Sequence, residues 1–262
     1  KDISLEHYDF TKPEHVKAWL LRKAGTSVAI PERRMVADKD LVIDMECCLE
    51  DTVLIKSIFE EAWEDKSVAL FIPGTSIKGV LRHHCSRILQ ALGRSNQAVD
   101  TLFGYSVEKT NESRKGRVMV DEVYFDKSFT QEEQPRIRVD RFTGGAMNGA
   151  LFQDHPVRKG KGKQLAFPLR MTIKDCSDSE AGLVLLLVKD LMTGQITLGA
   201  NRTIGYGRIK GNSVTVQYHG ESYGIDGTGK VTEGEATKLE ALVQALHQAT
   251  EDTMLAKEGA HE

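Results

Sequence analysis

Residues 140–152, Asp-Arg-Phe-Thr-Gly-Gly-Ala-Met-Asn-Gly-Ala-Leu-Phe, restrict the fold more than any other stretch of the chain. Three glycines in this run oppose a helix, because each loses more backbone freedom on ordering than any other residue. The run is also too long for a tight turn, which leaves an extended hairpin or loop projecting from a body. Basic side chains gather around it. Between residues 134 and 163, seven Lys or Arg (Arg136, Arg138, Arg141, Arg158, Lys159, Lys161, Lys163) stand against Asp140 and Asp154, a local balance of +5 in a chain of formal charge −3. Arginines at alternating positions suit phosphates, while Phe142 and Met147 suit wedging against bases. The same composition also suits a solvated loop without a ligand.

The rest of the chain bounds what such a segment could serve. A pI near 6.3 argues against non-specific coating of nucleic acid and leaves room for a local basic groove. With 262 residues and 40% apolar content, the chain has material for one large domain or two small ones. It has no apolar run long enough to span a membrane. Four cysteines without regular spacing point to a reducing, cytoplasmic compartment. The chain opens at Lys1, as an excerpt, a processed product or a piece of a longer fusion would.

Periodicity places the elements. Residues 1–37 hold a short helix beginning at Pro13 and no clear strand pattern, and read as an extension or linker ahead of a domain spanning 38–262. Leu41, Ile43, Met45, Cys47 and Leu49 alternate with Asp44, Glu46 and Glu50, the pattern of a half-buried strand. An acidic connection follows, then the apolar run Val68–Ile72, broken by Pro73-Gly74. Beyond the break, Thr75 or Ser76 is placed to cap a helix that buries Ile77, Val80, Leu81, Ile88, Leu89 and Leu92. Lys78 and Arg82 lie four apart on that helix, beside backbone N–H groups carrying partial positive charge, so this start is a candidate anion site; two solvated surface cations are the plainer reading.

Further strands are expected at Val118–Phe125, Leu165–Ile173, Leu183–Val188 and Val214–Tyr218, with Leu183–Val188 central because it is apolar on both faces. A last amphipathic helix carries Leu239, Leu242, Val243 and Leu246. The order predicts an α+β sandwich with helices packed on an antiparallel sheet. Between Leu198 and Gly211 lie four glycines (Gly199, Gly205, Gly207, Gly211) interleaved with Arg202, Arg208 and Lys210, which permits close approach to a phosphate chain. Dinucleotide spacing is absent, so a nucleotide-cofactor fold is not indicated. Zinc is disfavoured: no Cys pair has the two-residue spacing, and Cys47 and Cys48 point to opposite faces of a strand. No metal-ligating residue is named.

Taken together, Phe71–Arg82 (Phe-Ile-Pro-Gly-Thr-Ser-Ile-Lys-Gly-Val-Leu-Arg), Val139–Phe152 and Leu198–Gly211, with Leu102-Phe103-Gly104 and Val118–Phe125, resemble the RAMP superfamily of CRISPR-associated proteins. The resemblance runs over residues 41–218 and is strongest to the backbone subunits of type III effector complexes. It implies a modified ferredoxin-like, RRM-like palm with an inserted thumb-like β-hairpin at about 134–164. In the family this hairpin wedges into the duplex of guide and target RNA, and the Ile72-Pro73-Gly74 run and the late Gly-rich loop contact the guide backbone. The RNA-binding residues so implied are Lys78, Arg82, Arg136, Arg138, Arg141, Phe142, Met147, Arg202, Arg208, Gly205 and Gly207. The implied partners are guide CRISPR RNA, target RNA and other RAMP subunits, including as a fused polypeptide.

Backbone subunits of this family can also cut target RNA with an aspartate in the loop between the first strand and the Ile-Pro-Gly turn. Here that loop is residues 56–67, with Glu60, Glu61, Glu64 and Asp65; Asp65, its only aspartate, is the catalytic candidate. The 2′-OH of RNA would be the nucleophile, and Mg²⁺ or another divalent cation would serve cleavage. The alternative is a catalytically inactive, structural RNA-binding subunit. A guide-processing role would need a histidine near the Gly-rich loop, and none of the eight lies there. His155 could touch RNA or support cleavage, though an ordinary polar loop residue is the plainer reading, and Trp63 suits stacking on a base as well as core or interface packing.

Overall fold

The alternation at Leu41–Leu49 makes the middle strand of the main sheet, and in the computed structural model its odd positions enter the core while Glu46 faces solvent. The structure describes residues 5–7, 12–21, 26–28, 37–50, 52–55, 71–107, 112–125, 129–159, 166–231 and 235–249. Two compact units divide the chain, Lys1–Val36 and Ala37–Glu262. In the smaller, a helix spans Pro13–Leu20, and Leu5–His7 pairs antiparallel with Thr26–Val28. The sequence shows no strand pattern there because three residues are too few to display alternation.

The larger unit runs β1 (Leu41–Leu49), α1 (Gly74–Ala91), α2 (Gln97–Phe103), β2 (Val118–Val120), β3 (Gln134–Val139), β4 (Ala146–Asp154), β5 (Ala166–Ile173), α3 (Asp178–Met192), β6 (Ile209–Tyr218), β7 (Glu221–Asp226) and α4 (Ala236–Gln248). Shorter ladders join these elements and are given by residue below. The main sheet has the order β7-β6-β1-β5-β2, antiparallel throughout. Register puts Ile43 opposite Met171 and Val216, and Met45 opposite Leu169 and Val214, so apolar side chains line one face across three strands. The other face carries Asp44 and Arg170, paired at 3.1 Å.

Helix α1 buries Ile77, Leu81, Cys85 and Leu89, one residue per turn, and stops at Gly93, whose positive φ lets Arg94 N–H reach back to the Leu89 carbonyl at 2.9 Å. Its start differs from the expectation. The N-cap is Pro73, and neither Thr75 nor Ser76 makes a side-chain cap. Gly74 takes the first helical position because a Cβ there would lie 2.3 Å from the Val120 carbonyl oxygen: the helix start is pressed against β2.

Leu183–Val188 is not a central strand but the middle of α3. A six-residue run buried on every side has no periodicity to separate strand from helix. Here it is buried all round because α3 lies between the sheet and α4, so closely that a Cβ on Gly182 would stand 2.2 Å from the Leu242 carbonyl. Ser177 and Glu180 form a capping box at its start. Glu180, only 3% exposed, also forms a bidentate pair with Arg117, joining the helix to the segment before β2. The middle strand is β1 instead. Val118–Phe125 is likewise not one strand: β2 ends at Val120, and Val123–Tyr124 pairs with Phe71–Ile72 in a separate ladder.

Candidate nucleic-acid interface

The glycine-bearing segment becomes a two-stranded antiparallel hairpin, β3 with β4, inserted between β2 and β5. Ile137 lies opposite Leu151, Arg136 opposite Phe152, and the register shifts beyond Ile137. Almost every side chain is exposed, including Ile137, Val139, Met147, Leu151 and Phe152; Phe142 at the tip is 91% exposed. Asp140 holds the turn, its Oδ1 accepting from the backbone N–H of Phe142 (2.8 Å) and Thr143 (2.9 Å). The Thr143 N–H, with that of Phe142, keeps this carboxyl below its ordinary range. Arg138 and Arg141 are exposed and have no partner among the described residues.

The foot of the hairpin is built differently. Strands 129–131, 157–159 and 52–53 make a small sheet from which β3 and β4 emerge. Against it lies the Gly-rich loop, a 3-10 turn at Arg202–Ile204 flanked by left-handed Asn201 and Gly205. Gly207 N–H donates to the Thr52 carbonyl (2.6 Å) and Ala200 N–H to that of Leu54 (2.8 Å). Between hairpin and loop runs one polar network. Arg136 pairs with Asp154 (3.2 Å) and donates to Tyr206 Oη (2.9 Å), Tyr206 donates to Gln134 Oε1 (2.9 Å), and Asn201 donates to Asp154 (3.2 Å). The Arg136 guanidinium also lies over the Tyr206 ring at 5.5 Å. Asp154 is buried, so its two partners offset a desolvation cost that would otherwise be several kcal/mol.

The glycines of the loop do two jobs. At Gly199 and Gly207, positive φ coincides with close packing, since a Cβ would fall 2.3 Å from the Leu54 oxygen and 1.7 Å from the Leu198 oxygen respectively. Gly205 also has positive φ but nothing within 4 Å of its missing side chain, leaving an open backbone beside exposed Arg202. Arg208 is exposed and 3.5 Å from Glu50.

At the start of α1 the two expected cations diverge. Arg82 donates to the Gly104 carbonyl and to Asp100, both at 2.5 Å, and so ties α1 to α2. Lys78 has no acidic partner among the described residues; its ammonium pKa is lowered by partial burial and by the nearby charges of Arg82 and Lys115. An anion placed there would favour the charged ammonium and so offset both effects. Lys115 was not anticipated. It joins this group because strand 112–115 pairs with strand 104–107, setting Lys115 opposite Gly104.

The structure thus brings Arg136 into contact with the loop of Gly205, Gly207, Arg202 and Arg208, keeps Arg138, Arg141, Phe142 and Met147 out on the hairpin, and groups Lys78 with Arg82. Asp65, with Glu60, Glu61, Glu64 and Trp63, lies outside the described residues, as do Lys161 and Lys163. Tyr206, Asn201 and Asp154, which complete the hairpin foot, were missed; the one signal was a tyrosine set between Gly205 and Gly207. His155 is exposed, its carbonyl accepting from Gln131 Nε2 at 3.1 Å. The four cysteines are free and buried, and burial pushes the Cys47 and Cys85 thiols up to about 12. Among the described residues no three His, Cys, Asp or Glu side chains are grouped to hold a metal ion, and no helix is long and apolar enough to cross a membrane.

An α+β body carrying an exposed basic hairpin, footed on a Gly-rich loop, defines a nucleic-acid-binding class of protein. The RAMP superfamily model matches residues 56–210, more than half of the chain, and the chain belongs to that superfamily of CRISPR-associated, RNA-binding proteins. No curated protein matches it.

Proposed function

We propose that this chain is a guide-RNA-binding backbone subunit of a type III CRISPR interference complex and that it also cleaves the target RNA. The observation that carries the reading is the hairpin. It presents Phe142, Met147, Arg138 and Arg141 to solvent, and a half-buried network at its foot fixes it to the Gly-rich loop. Folding alone gives no reason for so much exposed apolar surface on a two-stranded ribbon, whereas insertion between bases does. Setting aside insertions, β1-α1-β2-β5-α3-β6 with the spatial order β6-β1-β5-β2 supports a ferredoxin-like palm, extended at one edge by β7. Guide RNA would run by its backbone past Lys78, Arg202 and the open Gly205, its partners being target RNA and neighbouring RAMP subunits.

Cleavage is assigned to Asp65. The support is positional in sequence: Asp65 is the only aspartate of residues 56–67, between the first strand and the Pro73-Gly74 turn, and it lies outside the described residues. The 2′-OH of a displaced nucleotide attacks the adjacent phosphorus in line, the bond to the 5′ oxygen breaks, and Asp65 positions the reacting groups or takes the proton. A divalent ion, if used, would be held by carboxylates of the 60–65 segment with phosphate oxygens, and would stabilise charge on the leaving oxygen.

The test is Asp65→Ala in an assembled complex, with target cleavage mapped opposite this subunit. Loss of that cut by 100-fold or more, with guide and target still bound, is expected, on the order of 3 kcal/mol of transition-state stabilisation. Wild-type cutting by the variant removes Asp65, and no cut even in wild type favours a purely structural subunit.

A further inference from the structure

Tyr124 belongs to the 71–72/123–124 ladder rather than to the hairpin, and the proposed function gives it no role. The residue is 60% exposed, more than any other aromatic of the larger unit except Phe142 among the described residues. Two contacts fix its orientation. One face stacks on Phe71 across the 71–72/123–124 ladder, with ring centroids 5.6 Å apart and planes at 26°. Its hydroxyl donates to Glu122 at 2.7 Å, which raises the phenol pKa and keeps it protonated. Phe71 is the only aromatic ring against it among the described residues, and most of the residue faces water.

We propose that Tyr124, backed by Phe71, is a stacking platform for one nucleobase of the bound RNA, an inference that rests on the RNA-binding reading above. A flat ring held before the ligand arrives pays little ordering entropy, and any base presents a π-face to it. The surroundings select the base over the backbone: the Glu122 carboxylate at the ring's hydroxyl, with exposed Asp121 next to it in the chain, repels phosphates. Cationic charge lies on the other side of the turn. Phe71 leads through Ile72 and Pro73 into α1, where Lys78 has no acidic partner among the described residues. A strand whose phosphates run toward Lys78 can lay a base on Tyr124. A protein partner is less suited, because charged residues, rather than a contiguous apolar patch, adjoin the ring.

The experiment measures affinity of the full chain for a labelled single-stranded RNA, by anisotropy, across a salt series. Tyr124→Ala should weaken binding about five- to 150-fold, with the slope of log affinity against log salt unchanged. Tyr124→Phe, which keeps the ring and loses the Glu122 bond, should stay within about threefold of wild type, and its thermal midpoint controls for folding. To tell guide from target, 2-aminopurine is placed in one strand or the other of the bound duplex; quenching by wild type that Tyr124→Ala abolishes marks the strand that supplies the base. Unchanged affinity in Tyr124→Ala, or no quenching with either strand, overturns the platform and leaves the RNA-binding reading standing. A wild-type chain that binds no RNA overturns both.

Discussion

The main sheet and the hairpin are both antiparallel β-structure from one chain, yet they obey opposite rules. In β1, β5 and β6 apolar side chains alternate inward and are covered by α1 and α3. In β3 and β4 apolar and basic side chains alike face water. A two-stranded ribbon has too little buried surface to be stable alone. This one is held at its ends, by the Asp140 turn and by the Arg136–Asp154–Asn201–Tyr206 network, and left bare between them. The sheet's side chains serve the fold; those in the hairpin's middle face water.

The sharpest way to break this distinction lies at the hairpin foot. Gly207→Ala should destabilise the chain by about 3 kcal/mol or more, because positive φ and a backbone oxygen in the way act together. Gly205→Ala, two residues away and equally left-handed but with open space, should cost only about 1–2 kcal/mol. Denaturant midpoints compare the two. Equal losses would mean that both glycines serve packing and that Gly205 is not reserved for a ligand.

Asp154→Ala should act on one region alone. Removing the buried carboxylate strands Arg136 and Asn201, a loss on the order of 2 kcal/mol, less than for a fully buried pair because Arg136 keeps some solvent. Amide exchange in β3 and β4 should speed up roughly 30-fold while β1 keeps its protection. Equal loosening of β1 would show that hairpin and sheet unfold as one.

Acid should probe the other region. Burial pushes the Asp40 carboxyl up, but hydrogen bonds from Lys174 Nζ (2.7 Å) and Asp175 N–H (3.0 Å) outweigh it and hold the carboxyl below its ordinary 3.8. A carboxyl depressed on folding stabilises above its unfolded value, and that contribution disappears as pH falls through the folded value. Asp40→Asn should therefore be less stable than wild type at neutral pH, with the gap closing below about pH 4. Thermal midpoints against pH would show it, and a gap that widens toward acid would contradict the assignment.

Much of this division was legible in the sequence. The strands β1 and β5 followed from alternation, α1 and α4 from their apolar stripes, and the hairpin from its glycines and arginines. Leu183–Val188 was misread because burial on all sides erases period, although Ser177, Glu180 and Gly194 marked a helix start and stop around it. At the site, residue types were legible but their employment was not. Arg82 and Arg136 look like Arg138 and Arg141 in sequence, and only tertiary contact shows that the first two are tied into the fold. Val118–Phe125 was read as one strand because two strands of three and two residues are too short to show where the first ends.

The most direct measurement of the central claim, that the bare hairpin exists to hold RNA, is the salt dependence of RNA affinity in Arg138→Glu/Arg141→Glu, with Phe142→Ala alongside. Both variants should fold as wild type does, within about 0.5 kcal/mol, since neither arginine has a partner among the described residues and Phe142 buries almost nothing. The charge reversal should weaken RNA of any sequence at least tenfold and lower the salt slope by about 1.4, two phosphate contacts on a single strand. Phe142→Ala should leave the slope alone and reduce displacement of a fluorescent base. Wild-type affinity and slope in the charge-reversed chain would contradict the account.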